Sequence, residues 1–189
     1  MQFYIILFLA GIIAITVHEF TKALVSTILG DNVPKNTGRL TLNPIKHFEP
    51  IGFLCIVMGQ GYGWGKPTQT SSINYKNKKW GTVITYSLPS VANVVVGYAM
   101  IMLWANTTGD MRLLFAHVGL VNLRMAFFNL IPIYPLDGAK VLSAFLSPQK
   151  AMAMAQYEKI LQMLLLILII TGLADRLISP MILMLPFIS

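Results

Sequence analysis

Residues 2–29 form an apolar run long enough to cross the hydrocarbon core of a membrane, yet the run contains His18, Glu19 and Lys22. An ionisable group inside such a segment is costly, so these three side chains must face a protein interior and mark a functional locus. That demand excludes an ordinary soluble fold and requires further spans to bring partners to the same depth. Composition agrees: of 189 residues, 56% are hydrophobic and 11% charged, with mean hydropathy +0.68. A soluble domain carries about 25% charged residues. A single membrane domain over residues 1–189 accounts for the length.

The rest of the chain supplies the expected partners. Trp80 to Asn106 reads as a second span interrupted by Pro89, and Met111 to Ile133 as a third, with His117, Asn122 and Arg124 inside it. Lys159 to Leu173 begins a fourth, and Leu177 to Ile188, split by Pro180 and Pro186, lies along or partly in the membrane. Between the first two spans, Arg39 to Leu42 alternates polar and apolar residues, which predicts a short β-hairpin at the membrane surface. Pro50 to Gly65 is too short and glycine-rich for a crossing and reads as a re-entrant or interfacial segment, closed by Trp64 and Lys66 as interface anchors. The expected fold class is an all-α polytopic membrane protein with about four transmembrane helices, a short surface β-hairpin and a re-entrant segment.

The formal net charge of +7 does not imply nucleic acid. Seven of the fourteen Lys and Arg residues fall between Lys35 and Lys79, as in a cytoplasmic loop. The connection over residues 139–159 is also basic, whereas the 106–111 turn contains Asp110 and no base. Four spans then place the N-terminus outside and both basic connections inside, with a bacterial cytoplasmic membrane as the location. Lys76, Lys78 and Lys79 orient the protein and touch anionic lipid. Cys55 is the only cysteine, so no intrachain disulfide can form. The N-terminal run reads as a permanent span, not a signal peptide.

His18 lies roughly 25 Å along its helix, toward the far end of the crossing. Two prolines, Pro132 and Pro135, break the third span at its end and deliver Asp137 there. Both groups therefore reach the same depth. His18-Glu19 is the start of His-Glu-x-x-His, in which two histidines one turn apart bind zinc and the glutamate is the general base. The fourth-on position here is Lys22. His18 and Asp137 remain as candidate ligands, with Glu19 to take a proton from a bound water.

Four stretches carry a resemblance: His18-Glu19-Phe20, Gly38 to Pro44 with His47 to Gly52, Gly63-Trp64-Gly65-Lys66-Pro67, and Asn129 to Gly138. In this order they resemble the site-2 proteases, intramembrane zinc metalloproteases, in their small bacterial form. The resemblance implies zinc held by two motif histidines and the loop aspartate, cutting a peptide bond within the bilayer. Carried onto this chain, His18 and Asp137 are metal ligands and Glu19 is the catalytic base. Asn93 matches a polar position credited with substrate or oxyanion contacts. Two residues depart from the pattern: Lys22, at the second histidine, and Leu88, where a small residue usually precedes Pro89.

Three readings of Lys22 are open. A desolvated neutral amine ligates the metal; or His47 or water completes a weaker site; or the ammonium takes over the metal's electrostatic role by pairing with Glu19 and Asp137. The first two give a zinc metalloprotease acting on a transmembrane protein substrate. The third gives a metal-free pseudoprotease that binds transmembrane clients as a scaffold. Away from this locus, His47 reads as a surface or loop-anchoring histidine, His117 as an interhelical hydrogen-bonding residue, and Arg124 as facing the bundle or snorkelling inward. Substrate identity, regulator and oligomeric state leave no trace in the sequence.

Overall fold

The computed structural model describes residues 2–58 and 61–185. Helix α1 (Gln2–Ile28) is followed by a single turn, α2 (Val33–Asn36), a 3-10 turn at Pro44–His47, and α3 (Pro50–Met58). Then come the long helices α4 (Lys78–Ala105) and α5 (Asp110–Asn129), and the shorter α6 (Asp137–Ser143), α7 (Pro148–Gln156), α8 (Glu158–Ile170) and α9 (Leu173–Leu183). Three of these, over Phe3–Ile28, Lys78–Ala105 and Met111–Asn129, are long and apolar enough to cross a membrane. The number is four if α7 and α8, bent by 59° at their junction, count as one broken span.

α1, α4 and α5 pack against one another and carry the site. On α1, the buried positions Leu7, Ala10, Ala14, His18, Lys22 and Ser26 recur at helical spacing, while Phe3, Phe8, Leu9 and Ile13 stay exposed. The exposed face is as apolar as the buried one, as a lipid-facing surface must be, so small and polar residues mark the packed side. α4 and α5 cross closely at two glycines. A Cβ on Gly97 would lie 3.2 Å from the Gly119 carbonyl oxygen, and one on Gly119 equally close to that of Gly97. Because the helices run antiparallel from the turn at residues 106–109, that crossing brings Asn93 opposite Asn122, one turn on.

The apolar core has two parts. Leu7, Ala10, Ala14, Ile15, Phe53, Ile56 and Met125 form the one between α1, α3 and α5. The other gathers Tyr62, Trp64, Leu123, Phe128, Leu136 and Leu165 with α9 residues Ile178 and Ile182.

Four expectations are corrected. No strand occurs among the described residues, so the β-hairpin at Arg39–Leu42 does not form. The alternation there is real but inverted, with Arg39 buried and Leu42 64% exposed. The Arg39 guanidinium donates to the carbonyl oxygens of Lys46 and Lys66 and to Thr68 Oγ1, so backbone acceptors find a side chain where a strand would have supplied a partner. Pro89 does not interrupt α4, which runs through it with the ring buried. One lost backbone bond in a packed span is tolerated. Trp64 is no interface anchor but is 5% exposed, in the core. His117 bonds within its own helix, Nδ1 donating to the Leu113 carbonyl at 2.8 Å, with its ring edge-on to Phe3. Arg124 faces the bundle, 3.3 Å from Asp175 and over the Tyr62 ring.

Candidate functional site

The structure brings His18, Glu19, Lys22, Asn93 and Asp137 into one buried cluster, each no more than 4% exposed. α1 supplies the first three, α4 supplies Asn93, and Asp137 is the first residue of α6. α6 packs on α4, and Gly138 lets its first turn lie against the chain leaving α5, since a Cβ there would lie 2.2 Å from the Leu130 carbonyl oxygen.

Lys22 sits at the centre. Its Nζ donates to Glu19 Oε1 at 2.9 Å and to Asp137 Oδ1 at 2.8 Å, with the Tyr86 ring 5.7 Å away. Glu19 Oε2 accepts the Thr68 backbone N–H at 2.8 Å and has the Arg39 guanidinium at 3.7 Å. Both oxygens of the expected base are therefore engaged. Gly65 makes the Thr68 contact reachable: a Cβ on it would lie 2.6 Å from the Ile15 side chain and 3.2 Å from Glu19 Cγ. Only a glycine lets the chain pass that close to the carboxylate.

His18 bridges two partners, Nδ1 to Asn93 Oδ1 at 2.8 Å and Nε2 to Asp137 Oδ2 at 2.9 Å. The proton positions follow from the surroundings. Asn93 Nδ2 donates to the Ala14 carbonyl at 3.1 Å and to Asn122 Oδ1 at 2.8 Å, while Asn122 Nδ2 donates to the Val118 carbonyl. Carbonyls only accept, so the Asn93 atom facing His18 is oxygen, and His18 Nδ1 carries a proton. The contact between Nε2 and Oδ2 then needs a second proton, because an imidazole lone pair and a carboxylate oxygen both accept.

Asn93, expected at substrate or oxyanion, has both ends of its amide committed within the protein and orients His18. His47 is fully buried, and its Nε2 donates to the Thr41 carbonyl at 2.7 Å, which fits a loop anchor. Burial, the largest influence, pushes its pKa below the usual histidine value and keeps the ring neutral. Sequence reasoning did not find Arg39, Thr68, Tyr86 or Asn122 as members of the site. Arg39 and Asn122 had a signal, a charge beside Gly38 in a polar loop and an amide inside a span. The Thr68 backbone N–H had none.

Among the described residues, no group of three or more His, Cys, Asp or Glu side chains is arranged to hold a metal ion. A cavity of about 460 Å³ borders the cluster, lined by Lys22, Thr68, Thr70, Tyr86, Asp137 and Lys140. It gives this buried locus an approach from outside the bundle.

Comparison with known proteins fits the motifs and their order. The chain is 32% identical over 182 residues to YwhC of Bacillus subtilis (strain 168), named as a candidate zinc metalloprotease, with 90% of this chain and 82% of the relative covered. It is 28% identical over 183 residues to Rip2 of Mycolicibacterium smegmatis, named in the same way, covering 90% of this chain and 69% of that one. No solved structure matches. The profile of peptidase family M50 matches residues 3–172, nearly the whole chain, and the protein belongs to that family, the site-2 proteases.

Proposed function

We propose that this chain is a family M50 member in which zinc's charge is replaced from within the protein, and that it binds a transmembrane protein client without cutting it. One observation carries the reading: the Lys22 ammonium lies within 2.9 Å of both Glu19 and Asp137. An ammonium has no lone pair for a metal and repels a dication. Without that position the ligand set falls to His18 and Asp137, and a catalytic zinc site uses three protein ligands. His47 does not make up the number: its Nε2 is held on Thr41, and although its buried Nδ1 has no hydrogen-bond partner, no three His, Cys, Asp or Glu side chains among the described residues are arranged to hold a metal ion. The residues present do not fit a zinc ion.

The charge nonetheless balances. Lys22 contributes one positive charge, and the proton between His18 Nε2 and Asp137 Oδ2 a second, which together equal a zinc dication. Buried carboxylates that would otherwise require a metal are satisfied by hydrogen-bonded cations. The site-2 scaffold is thereby kept while the open coordination position for water is lost.

A second reading, an active zinc metalloprotease of the family, is favoured by the names of the relatives and by His18, Glu19 and Asp137 standing at the motif positions. Cleavage of a reporter transmembrane helix by the protein in bilayers separates the two. The pseudoprotease reading expects no product from the parent and none from Glu19→Gln. Cleavage by the parent, abolished in Glu19→Gln, overturns it and leaves the zinc protease. For either reading the client is a transmembrane protein, the setting a bacterial cytoplasmic membrane, and the N-terminus lies outside by the loop charges.

A further inference from the structure

A second cavity, of about 520 Å³, opens between the start of α4 and the α6–α7 corner. It shares Thr70, Tyr86 and Lys140 with the cavity that borders the Lys22 cluster. Its wall carries three lysines, Lys78, Lys79 and Lys140, together with the hydroxyls of Ser72, Thr82 and Ser143, and no carboxylate. Clustered lysines ordinarily pair with acids, yet none of these three forms an ion pair among the described residues. Two are steadied by aromatic faces. Lys79 Nζ lies 4.3 Å from the Phe145 ring centre, and Lys140 Nζ lies 5.0 Å from that of Tyr134. A ring face holds an ammonium in place without neutralising it. α7 begins at the same wall with Pro148, whose ring nitrogen has no N–H to offer.

The depth of the cavity indicates where an anion would come from. Lys78 starts a helix apolar enough to span a membrane, so its first turn lies at the boundary between hydrocarbon and water. Trp80, 54% exposed and edge-on to Phe145, stands at that level as interfacial tryptophans do. Basic pockets between spans at this depth take lipid headgroups.

We infer that the cleft lined by Lys78, Lys79 and Lys140 binds a phosphate-bearing anion, the headgroup of an anionic phospholipid, next to the Lys22 site. The inference is independent of whether the site holds zinc. The three ammonium groups and the Ser72 hydroxyl supply the donors, since the Thr82 and Ser143 hydroxyls already donate to the carbonyls of Lys78 and Lys140, and the volume accommodates a glycerophosphate headgroup. Bound there, the lipid closes one wall of the approach to the Lys22 cluster, so lipid and client compete or cooperate at a shared opening.

The test uses the full chain in micelles containing equal phosphatidylcholine and phosphatidylglycerol, with retained lipid read by native mass spectrometry. Retention of phosphatidylglycerol in preference to phosphatidylcholine is expected. Lys79→Gln with Lys140→Gln should weaken it about 25-fold, roughly fivefold per lysine. Lys79→Arg with Lys140→Arg should retain it, and so should Lys35→Gln with Lys46→Gln, which removes equal charge elsewhere. If the double Gln variant does not fold, Lys140→Gln alone should weaken retention about fivefold. Inorganic triphosphate in neutral micelles is the soluble arm. Lysine-dependent binding of it without lipid retention would keep the phosphate site and reassign its source. Equal retention of both lipids with no triphosphate binding, or equal loss in the two double Gln variants, would overturn the inference.

Discussion

Replacing Lys22 by methionine removes the ammonium while leaving a side chain of similar length and volume. Breaking a buried ion pair by deleting one partner costs about 3–5 kcal/mol, because the remaining charge stays desolvated. Lys22 serves two carboxylates at once, with side-chain exposures of 5% for Glu19 and 6% for Asp137. Neither is stripped completely: Glu19 keeps the Thr68 N–H and Arg39, and Asp137 keeps His18. The cost for Lys22→Met should therefore fall within that range and not double it. Methionine fills the volume, so the packing contribution is below about 1.5 kcal/mol. Equilibrium unfolding in mixed micelles, titrated with a denaturing detergent, reads the difference. A specific rescue should accompany it. Glu19→Gln in the Lys22→Met background removes one stranded charge and should recover about 1–2 kcal/mol, a coupling typical of groups in contact. A Lys22→Met variant within about 0.5 kcal/mol of the parent, the size of a neutral surface change, would refute the view that this ammonium balances the two carboxylates.

Other consequences of the geometry are separately measurable. Asn93→Ala strands the His18 Nδ1 proton and Asn122 Oδ1 in a dry interior and should destabilise by about 1–3 kcal/mol in the same unfolding assay. Gly52→Ala and Gly63→Ala should each reduce folded yield sharply, since the added Cβ would lie 2.2 Å from the Trp64 carbonyl oxygen or 2.1 Å from that of Gly52. Arg39→Met releases the carbonyls of Lys46 and Lys66 together, at about 1.5–3 kcal/mol for a charged bond. Limited proteolysis should then cut within residues 35–47 faster than in the parent.

The sequence made the site legible where chemistry and depth coincide. An ionisable pair inside an apolar run can only be buried, and the Pro132–Pro135 break could only deliver Asp137 at the end of the third span. His18, Glu19, Lys22 and Asp137 do meet. The hairpin failed because period-two alternation cannot distinguish a strand from a loop whose arginine turns inward to gather carbonyls. Trp64 failed because a tryptophan near a basic loop has the same local signature at an interface as in a core. What decides its fate is the contact between Gly52 and Gly63, a long-range approach of two backbones. Asn93 was read through its family position, and its structural role depends on Asn122, which the antiparallel crossing at Gly97 and Gly119 brings across from another helix. The Thr68 amide that occupies Glu19 belongs to a backbone path that no residue type announces.

The most direct measurement is the zinc content of the purified full-length protein, loaded with excess zinc in mild detergent and then freed of unbound metal. Zinc far below one per chain is expected for the parent, rising close to one for Lys22→His, which restores the motif on the same helix face. Near-stoichiometric zinc on the parent, lost in His18→Ala, would contradict the replacement of the metal by Lys22 and a shared proton.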